Sequence, residues 1–159
     1  MKFFVISGAP NTGKTTAINN VAEWLTSGVI TTDIYGKLLP IFLPNTKGKY
    51  SDFSIVIISH GKKIIIPSAT DDRPWMNKLI EKIKQNPDAE IVITSCRDID
   101  LEREYFLTNL RPYASFLLES PLGKITRKNK ERLVAAQKWY KNTLILMHQH
   151  ILSNNPYNL

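Results

Sequence analysis

The sequence predicts a single α/β domain, 1–159, in which helices cover both faces of a mostly parallel sheet. Short apolar runs of strand length alternate with segments whose apolar residues recur at helical spacing. Two of the runs, at 53–58 and 63–66, flank the short turn Ser59-His60-Gly61-Lys62, which indicates one antiparallel hairpin. A chain of 159 residues that is 43% hydrophobic can bury a core of its own, so we expect one three-layer domain.

The first strand and the turn after it carry the clearest functional signal. The apolar run at 2–7 leads through Gly8-Ala9-Pro10-Asn11-Thr12-Gly13-Lys14-Thr15 directly into a helical pattern. Gly8 and Gly13 permit backbone angles that let consecutive N–H groups turn inward. The helix that starts near Lys14 adds its unpaired N–H groups and the positive end of its dipole. The spacing of this loop therefore suits a chain of phosphate groups.

This octapeptide fits the Walker A pattern G-x-x-x-x-G-K-[ST], and the chain resembles the P-loop NTPase superfamily. The resemblance implies a P-loop NTPase fold and a site for ATP or another nucleoside triphosphate with Mg²⁺. Lys14 would reach the β- and γ-phosphates, the Thr15 hydroxyl would be a ligand of Mg²⁺, and Thr16 would contact the α-phosphate. The predicted nucleotide contacts are Gly8, Ala9, Pro10, Asn11, Thr12, Gly13, Lys14, Thr15 and Thr16.

The first helix and the segment after it are predicted from periodicity and from breakers. One apolar stripe predicts a helix from about Lys14 to Thr26, and Gly28 is its expected stop. Residues 28–50 hold three glycines and two prolines and should be irregular. In P-loop GTPases a threonine in this region senses the γ-phosphate. Thr31, Thr32 and Asp33 are therefore either such a sensor or, more simply, a helix cap or a turn.

An acidic pair follows the second strand of the hairpin. A Walker B carboxylate would hold the hydration shell of Mg²⁺, and the family pattern places it directly after the apolar run. Here Ile66 is followed by Pro67, and the first acid is Asp71. Asp71 and Asp72, with Pro74 close behind, also fit the N-cap of a helix. We therefore predict Lys14, Asp71 and Asp72 as catalytic residues, and Thr15 and Asp71 as metal ligands.

The strand at 90–94 ends in Ser95-Cys96-Arg97-Asp98. GTPases carry N-K-x-D at this position to read guanine, and the chain lacks the Asn-Lys pair, so we expect adenine rather than guanine. Arg97 is either a phosphate sensor or a surface residue. Cys96 has no partner that would make it a nucleophile.

The last third of the chain is basic. The net charge is +7, and residues 111–159 hold 8 Lys or Arg against 2 Asp or Glu, whereas residues 1–110 hold 13 against 12. After a last strand at 115–118, a basic segment at 124–141 leads into a long helix. It could be a lid over the nucleotide phosphates, a surface for nucleic acid or for a protein partner, or a solvated helix face. The Asn154-Asn155-Pro156 tail is expected to fray.

Other features of the sequence indicate the cellular compartment. A single cysteine excludes an internal disulfide and fits a reducing compartment. No run approaches the roughly 20 apolar residues of a spanning helix. Met1 and Lys2 lead straight into the first strand, so we expect no signal peptide. We expect a cytoplasmic protein with no membrane partner.

Three functions fit these features. The leading hypothesis is a Mg-dependent ATPase or a nucleotide-dependent switch that acts on the γ-phosphate of ATP. The second is a small-molecule kinase of the nucleoside or nucleotide type, with no acceptor site evident in the sequence. The third is a nucleic-acid-associated ATPase that uses the basic segment at 124–141.

Overall fold

The structure, a computed structural model, describes residues 1–27, 30–98, 100–124 and 130–159. Within these ranges the strands are β1 (Lys2–Ser7), β2 (Ser54–Ser59), β3 (Lys62–Pro67), β4 (Ile91–Cys96) and β5 (Phe116–Pro121). The helices are α1 (Lys14–Thr26), α2 (Arg73–Gln85), α3 (Asp100–Asn109) and α4 (Lys130–Leu146). A 3₁₀ turn spans Arg111–Tyr113, and α4 continues as a π-helical stretch over Met147–Leu152. None of the helices in the described ranges is long and apolar enough to cross a bilayer.

The strands form one sheet in the order β2-β3-β4-β1-β5. β2 and β3 are antiparallel and joined by a tight turn at His60 and Gly61, and the other pairs are parallel. The predicted α/β class, with a mostly parallel sheet and one hairpin, is therefore confirmed, and the layout is compatible with three layers. β1 lies between β4 and β5, and the last residue of β1, Ser7, is in register with Cys96 and Pro121. The segments that leave these three strands therefore emerge side by side.

Alternate residues of the sheet enter two separate hydrophobic clusters. In β1, Phe4 and Ile6 pack on the face that carries α1, whereas Phe3 and Val5 pack on the face that carries α2 and α3. This alternation follows from the two-residue period of a strand. Because both faces are covered, the central strands carry continuous apolar runs, 3–6 in β1 and 91–93 in β4, instead of alternating apolar and polar residues.

The loop after α1 is irregular over its described part, as predicted. Asp33 makes a turn, because its Oδ1 accepts hydrogen bonds from the backbone N–H groups of Tyr35 at 2.9 Å and Lys37 at 3.0 Å. Asp33 therefore fits the simpler interpretation of this stretch, in which it stabilises a turn. The Ile34 N–H donates to the Val56 carbonyl at 2.9 Å, which ties the loop to β2. Gly28, the expected stop of α1, lies outside the described residues.

The C-terminal tail is not frayed, and the expectation from its sequence was wrong. Tyr157 is fully buried, and its hydroxyl donates to the Phe3 carbonyl at 2.6 Å. Burial raises the pKa of the Tyr157 phenol above its ordinary value, which keeps that donor protonated. Lys2 Nζ also donates to the Pro156 carbonyl at 2.9 Å. Tyr157 and Leu159, the apolar residues after Pro156, pack in the core that contains α1 and hold the tail in place.

Candidate functional site

The segment between β1 and α1 forms a tight loop. Gly8, Asn11 and Gly13 have positive φ angles of 153°, 64° and 97°. The Thr12 N–H and hydroxyl both donate to the Ala9 carbonyl, at 3.3 and 2.9 Å, and close the turn. At the start of the loop, the Gly8 N–H donates to the Cys96 carbonyl at 3.3 Å, so the end of β4 fixes where the loop begins.

Close contacts also leave no room for a side chain at Gly8 or Gly13. A Cβ on Gly8 would lie 2.8 Å from the Leu122 carbonyl oxygen and 2.8 Å from Thr12 Oγ1. A Cβ on Gly13 would lie 2.9 Å from the ring of Tyr140 on α4. The loop is therefore enclosed by the segment after β5 on one side and by α4 on another, and glycine is the residue that fits both positions.

Lys14 begins α1, and its side chain lies inside the loop. Only 4% of the side chain is exposed, and Nζ donates to the carbonyls of Gly8 at 2.9 Å and Ala9 at 3.1 Å. Asp71 Oδ2 is 3.3 Å from the same nitrogen. A buried ammonium group needs such partners, because burying an unpaired charge is very costly. The structure thus brings together Lys14 and Asp71, which are far apart in sequence.

Thr70 explains how Asp71 reaches the loop although β4 separates β3 from β1. β3 pairs with β4 over Ile64 and Ile65. Beyond that pairing, the buried Thr70 hydroxyl lies 2.9 Å from Thr94 Oγ1 and accepts from the Ser95 N–H at 3.1 Å. This side chain holds the segment after β3 against the end of β4 and carries Asp71 toward β1. Sequence reasoning missed Thr70, because a lone hydroxyl next to an acidic pair gives no signal of such a role.

The two aspartates have different surroundings. Asp72 is the N-cap of α2, because its Oδ1 accepts from the Trp75 N–H at 3.1 Å, and Pro74 stands in the first turn. Asp71 pairs with Lys14 through Oδ2, while its Oδ1 is buried and has no hydrogen-bond partner among the described residues. The capping alternative therefore holds for Asp72, and Asp71 is the acid that faces the loop.

An open depression of about 360 Å³ lies over the loop and the start of α1. Lys14 and Asp71 line it together with four other predicted site residues, namely Asn11, Gly13, Thr15 and Thr16. Of the remaining predicted contacts, Gly8 and Ala9 supply the carbonyls that hold Lys14, Thr12 closes the turn, and Pro10 is exposed.

The donor set at this depression fits a magnesium ion that is shared with phosphate. No cluster of three or more His, Cys, Asp or Glu in the described ranges could hold a metal unaided. Mg²⁺, however, is usually bound by one or two protein oxygens plus substrate phosphates and waters. The Thr15 hydroxyl and the unpartnered Asp71 Oδ1 are oxygens of this kind.

Tyr140 is a site residue that the sequence did not reveal. Its hydroxyl donates to the Gly13 carbonyl, and its ring lies against Gly13. In the sequence Tyr140 is one member of the apolar stripe of a helix, and nothing there marks its hydroxyl. The contact places α4 directly beside the loop.

The exit of β4 lies next to the loop and contains Cys96 and Arg97. Burial raises the pKa of the Cys96 thiol to about 11, so it is neutral at physiological pH. Arg97 Nη1 is 3.9 Å from Glu102 Oε2, and its Nε is buried with no hydrogen-bond partner among the described residues. Nearby, Arg103 forms a two-pronged ion pair with Glu119 at 2.7 and 2.6 Å, which fastens α3 to β5.

The basic segment at 124–141 is described only in part. Lys124, Lys138 and Lys141 are exposed. Arg127 and Lys128 lie outside the described residues, as do the side chains of Lys130 and Arg132. The predicted lid therefore lies largely outside the described residues, and so do four of the seven cations of the predicted nucleic-acid surface.

No protein-family model matches the chain, and comparisons with curated proteins and with solved structures return no significant match. Any functional assignment therefore rests on the Gly8–Thr15 motif and on the contacts around Lys14.

Proposed function

We propose that the chain is a P-loop protein that binds Mg·ATP at the loop Gly8–Thr15 and acts on its γ-phosphate, as an ATPase or a nucleotide-dependent switch. One observation carries the proposal. The Lys14 ammonium is buried inside a glycine-containing loop at the start of a helix, and it pairs there with two carbonyls and Asp71.

This arrangement suits a phosphate chain for electrostatic reasons. The carbonyls of Gly8 and Ala9 are neutral acceptors, whereas phosphate oxygens are charged and form stronger hydrogen bonds with an ammonium group. The start of α1 adds unpaired N–H groups and a positive dipole end on the same side. A triphosphate in the depression could therefore replace the two carbonyls as the hydrogen-bond partner of Lys14, with a net gain in binding free energy.

The chain's own residues would act by position and charge. Lys14 would counter the charge that develops on the γ-phosphate, and Thr15 and Asp71 would hold Mg²⁺ directly or through its waters. The metal would neutralise charge on the β- and γ-phosphate oxygens. Phosphoryl transfer needs little more than such positioning, which is consistent with the small number of charged groups at the depression.

We expect Asp71→Asn to weaken Mg·ATP binding by about tenfold, because the carboxylate supports the metal. In EDTA, where no metal is bound, the affinity for ATP should change much less. The amide removes a negative charge near the phosphates, which does not weaken their binding. Calorimetric titrations with Mg²⁺ and with EDTA measure both affinities.

Asp72→Asn is the matched control for this experiment. Asn is also a good N-cap, so this variant should stay close to the wild type in both stability and Mg·ATP affinity. Asp72→Ala should lose about 1 kcal/mol of stability with no change in affinity. If Asp71→Asn lowers only the melting temperature, or weakens both forms of ATP equally, the metal role is wrong.

A small-molecule kinase is the second candidate, and Arg97 favours it. Arg97 directly follows Cys96, whose carbonyl accepts from the Gly8 N–H, so the backbone of Arg97 leaves β4 beside the loop. Its side chain is 31% exposed, so the guanidinium group could bind the phosphate of an acceptor. Phosphorus NMR of Mg·ATP, alone and with a panel of nucleosides and nucleoside monophosphates, separates the two candidates. Inorganic phosphate as the only new product besides ADP indicates an ATPase. A new phosphoester on a nucleoside, or a new phosphoanhydride on a nucleoside monophosphate, indicates a kinase.

A further inference from the structure

A second depression, of about 250 Å³, lies in a groove between α1 and α4. We call it the α1–α4 groove. Its polar and aromatic lining consists of Thr16, Asn20, Tyr50, Gln137, Tyr140 and Lys141. Thr16 also lines the depression over the loop, so the two depressions meet at this residue. A ligand that fills the first has a direct route into the second.

We propose that the α1–α4 groove binds the nucleoside half of the triphosphate and that Gln137 reads its base. This inference rests on the proposed function, since it presumes phosphates over the loop. With the phosphate chain over Lys14 and Thr15, the nucleoside must leave the loop on one side. The groove that begins at Thr16 is the described cavity that continues from there.

The lining of the groove has the chemistry of a base pocket. Ligand pockets combine apolar and aromatic surface with a few fixed polar groups. Tyr50 and Tyr140 offer ring faces on which a base can stack, and Ala136 and Leu144 add apolar surface. The contact of the Tyr140 hydroxyl with the Gly13 carbonyl fixes one of these rings in advance. Little side-chain entropy is then lost when the base binds.

Gln137 is the side chain that suits base recognition. Asn20 donates through Nδ2 to the Thr16 carbonyl at 2.8 Å, so its amide is partly committed to α1. Gln137 is exposed on α4 and carries one donor group and one acceptor. The N6 and N7 edge of adenine presents the complementary pair, whereas guanine presents two acceptors there and suits a cation better. Gln137 therefore favours adenine, and Lys141 is the group that would favour guanine.

The test compares Mg·ATP with inorganic tripolyphosphate, which has the phosphates but no nucleoside. Gln137→Ala and Tyr50→Ala should each weaken Mg·ATP binding by about tenfold and leave tripolyphosphate binding unchanged. Gln149→Ala is the matched control, since Gln149 is an exposed glutamine further along the same helical segment and is not part of the groove. It should leave both affinities unchanged.

The outcomes separate this inference from the proposed function. If the wild type binds neither ligand, the proposed function itself fails. If the wild type binds both, and both groove variants bind Mg·ATP like the wild type, the nucleoside lies elsewhere and only the inference is wrong. If the groove variants lose the same affinity for Mg·ATP and for tripolyphosphate, the inference is also wrong, because the substitutions would then act by disturbing the loop. If GTP binds more tightly than ATP and Lys141→Ala removes that preference, the assignment of base reading to Gln137 is wrong.

Discussion

Replacing Lys14 with methionine should weaken Mg·ATP binding by about thirtyfold or more while the protein stays folded. Removing one partner of a buried, charged hydrogen-bond network typically costs about 2–5 kcal/mol of binding, and about 1.4 kcal/mol corresponds to a factor of ten. Methionine keeps most of the length and volume of the lysine stem, so the loop retains its packing. Asp71 loses its partner in the variant, but its side chain is 41% exposed and can be solvated.

A second lysine provides the control for this experiment. Lys63 also forms an ion pair with an aspartate, since its Nζ lies 2.6 Å from Asp88 Oδ2, but it is on β3 away from the loop. Lys63→Met should therefore leave Mg·ATP affinity unchanged. Calorimetry gives the affinities, and circular dichroism verifies that both variants are folded. A folded Lys14→Met protein with wild-type affinity would rule out the proposed phosphate contact.

Replacing Gly8 with alanine should abolish detectable ATP binding and lower the free energy of unfolding by about 2–3 kcal/mol. The added Cβ would lie 2.8 Å from a backbone carbonyl, that of Leu122, which cannot rotate away as a side chain could. The φ of 153° adds strain, because side chains rarely adopt it. Both effects displace the start of the loop, and with it the Gly8 carbonyl that holds Lys14.

Gly61 in the β2–β3 turn distinguishes crowding at the loop from general backbone strain. It also has a positive φ, of 71°, but a Cβ there would meet no atom within 4 Å. Gly61→Ala should cost only about 1 kcal/mol of stability and leave ATP binding intact. Chemical denaturation and calorimetry on both variants give the comparison. If the two variants lose the same stability and both bind ATP, crowding at Gly8 has no functional consequence.

The fold follows from the sequence where local pattern decides the structure. The run at 2–7, the loop Gly8–Thr15 and the helix to Thr26 occur as predicted, and so do the hairpin and the helix that Asp72 caps. Alternation, helical periodicity and turn residues each act over a few neighbouring positions, and these local rules agree with the tertiary structure here.

The parts of the site that the sequence did not predict depend on long-range contacts. Asp71 reaches Lys14 because Thr70 bonds to β4, and Tyr140 meets Gly13 across a separation of 127 residues. The tail was predicted to fray because terminal residues are often poorly ordered, whereas the site that buries Tyr157 is built by distant strands. No pattern within a short window carries this information.

Hydrogen exchange of the backbone amides, with and without Mg·ATP, tests the central claim most directly. The claim is that the loop Gly8–Thr15 and the start of α1 surround the phosphates. Mg·ATP should therefore slow exchange in a peptide that covers residues 8–16, apart from Pro10, which has no N–H. A peptide that covers the β2–β3 turn at His60 and Gly61 should exchange at its original rate. If Mg·ATP binds and the exchange of residues 8–16 does not change, the nucleotide site is not at this loop.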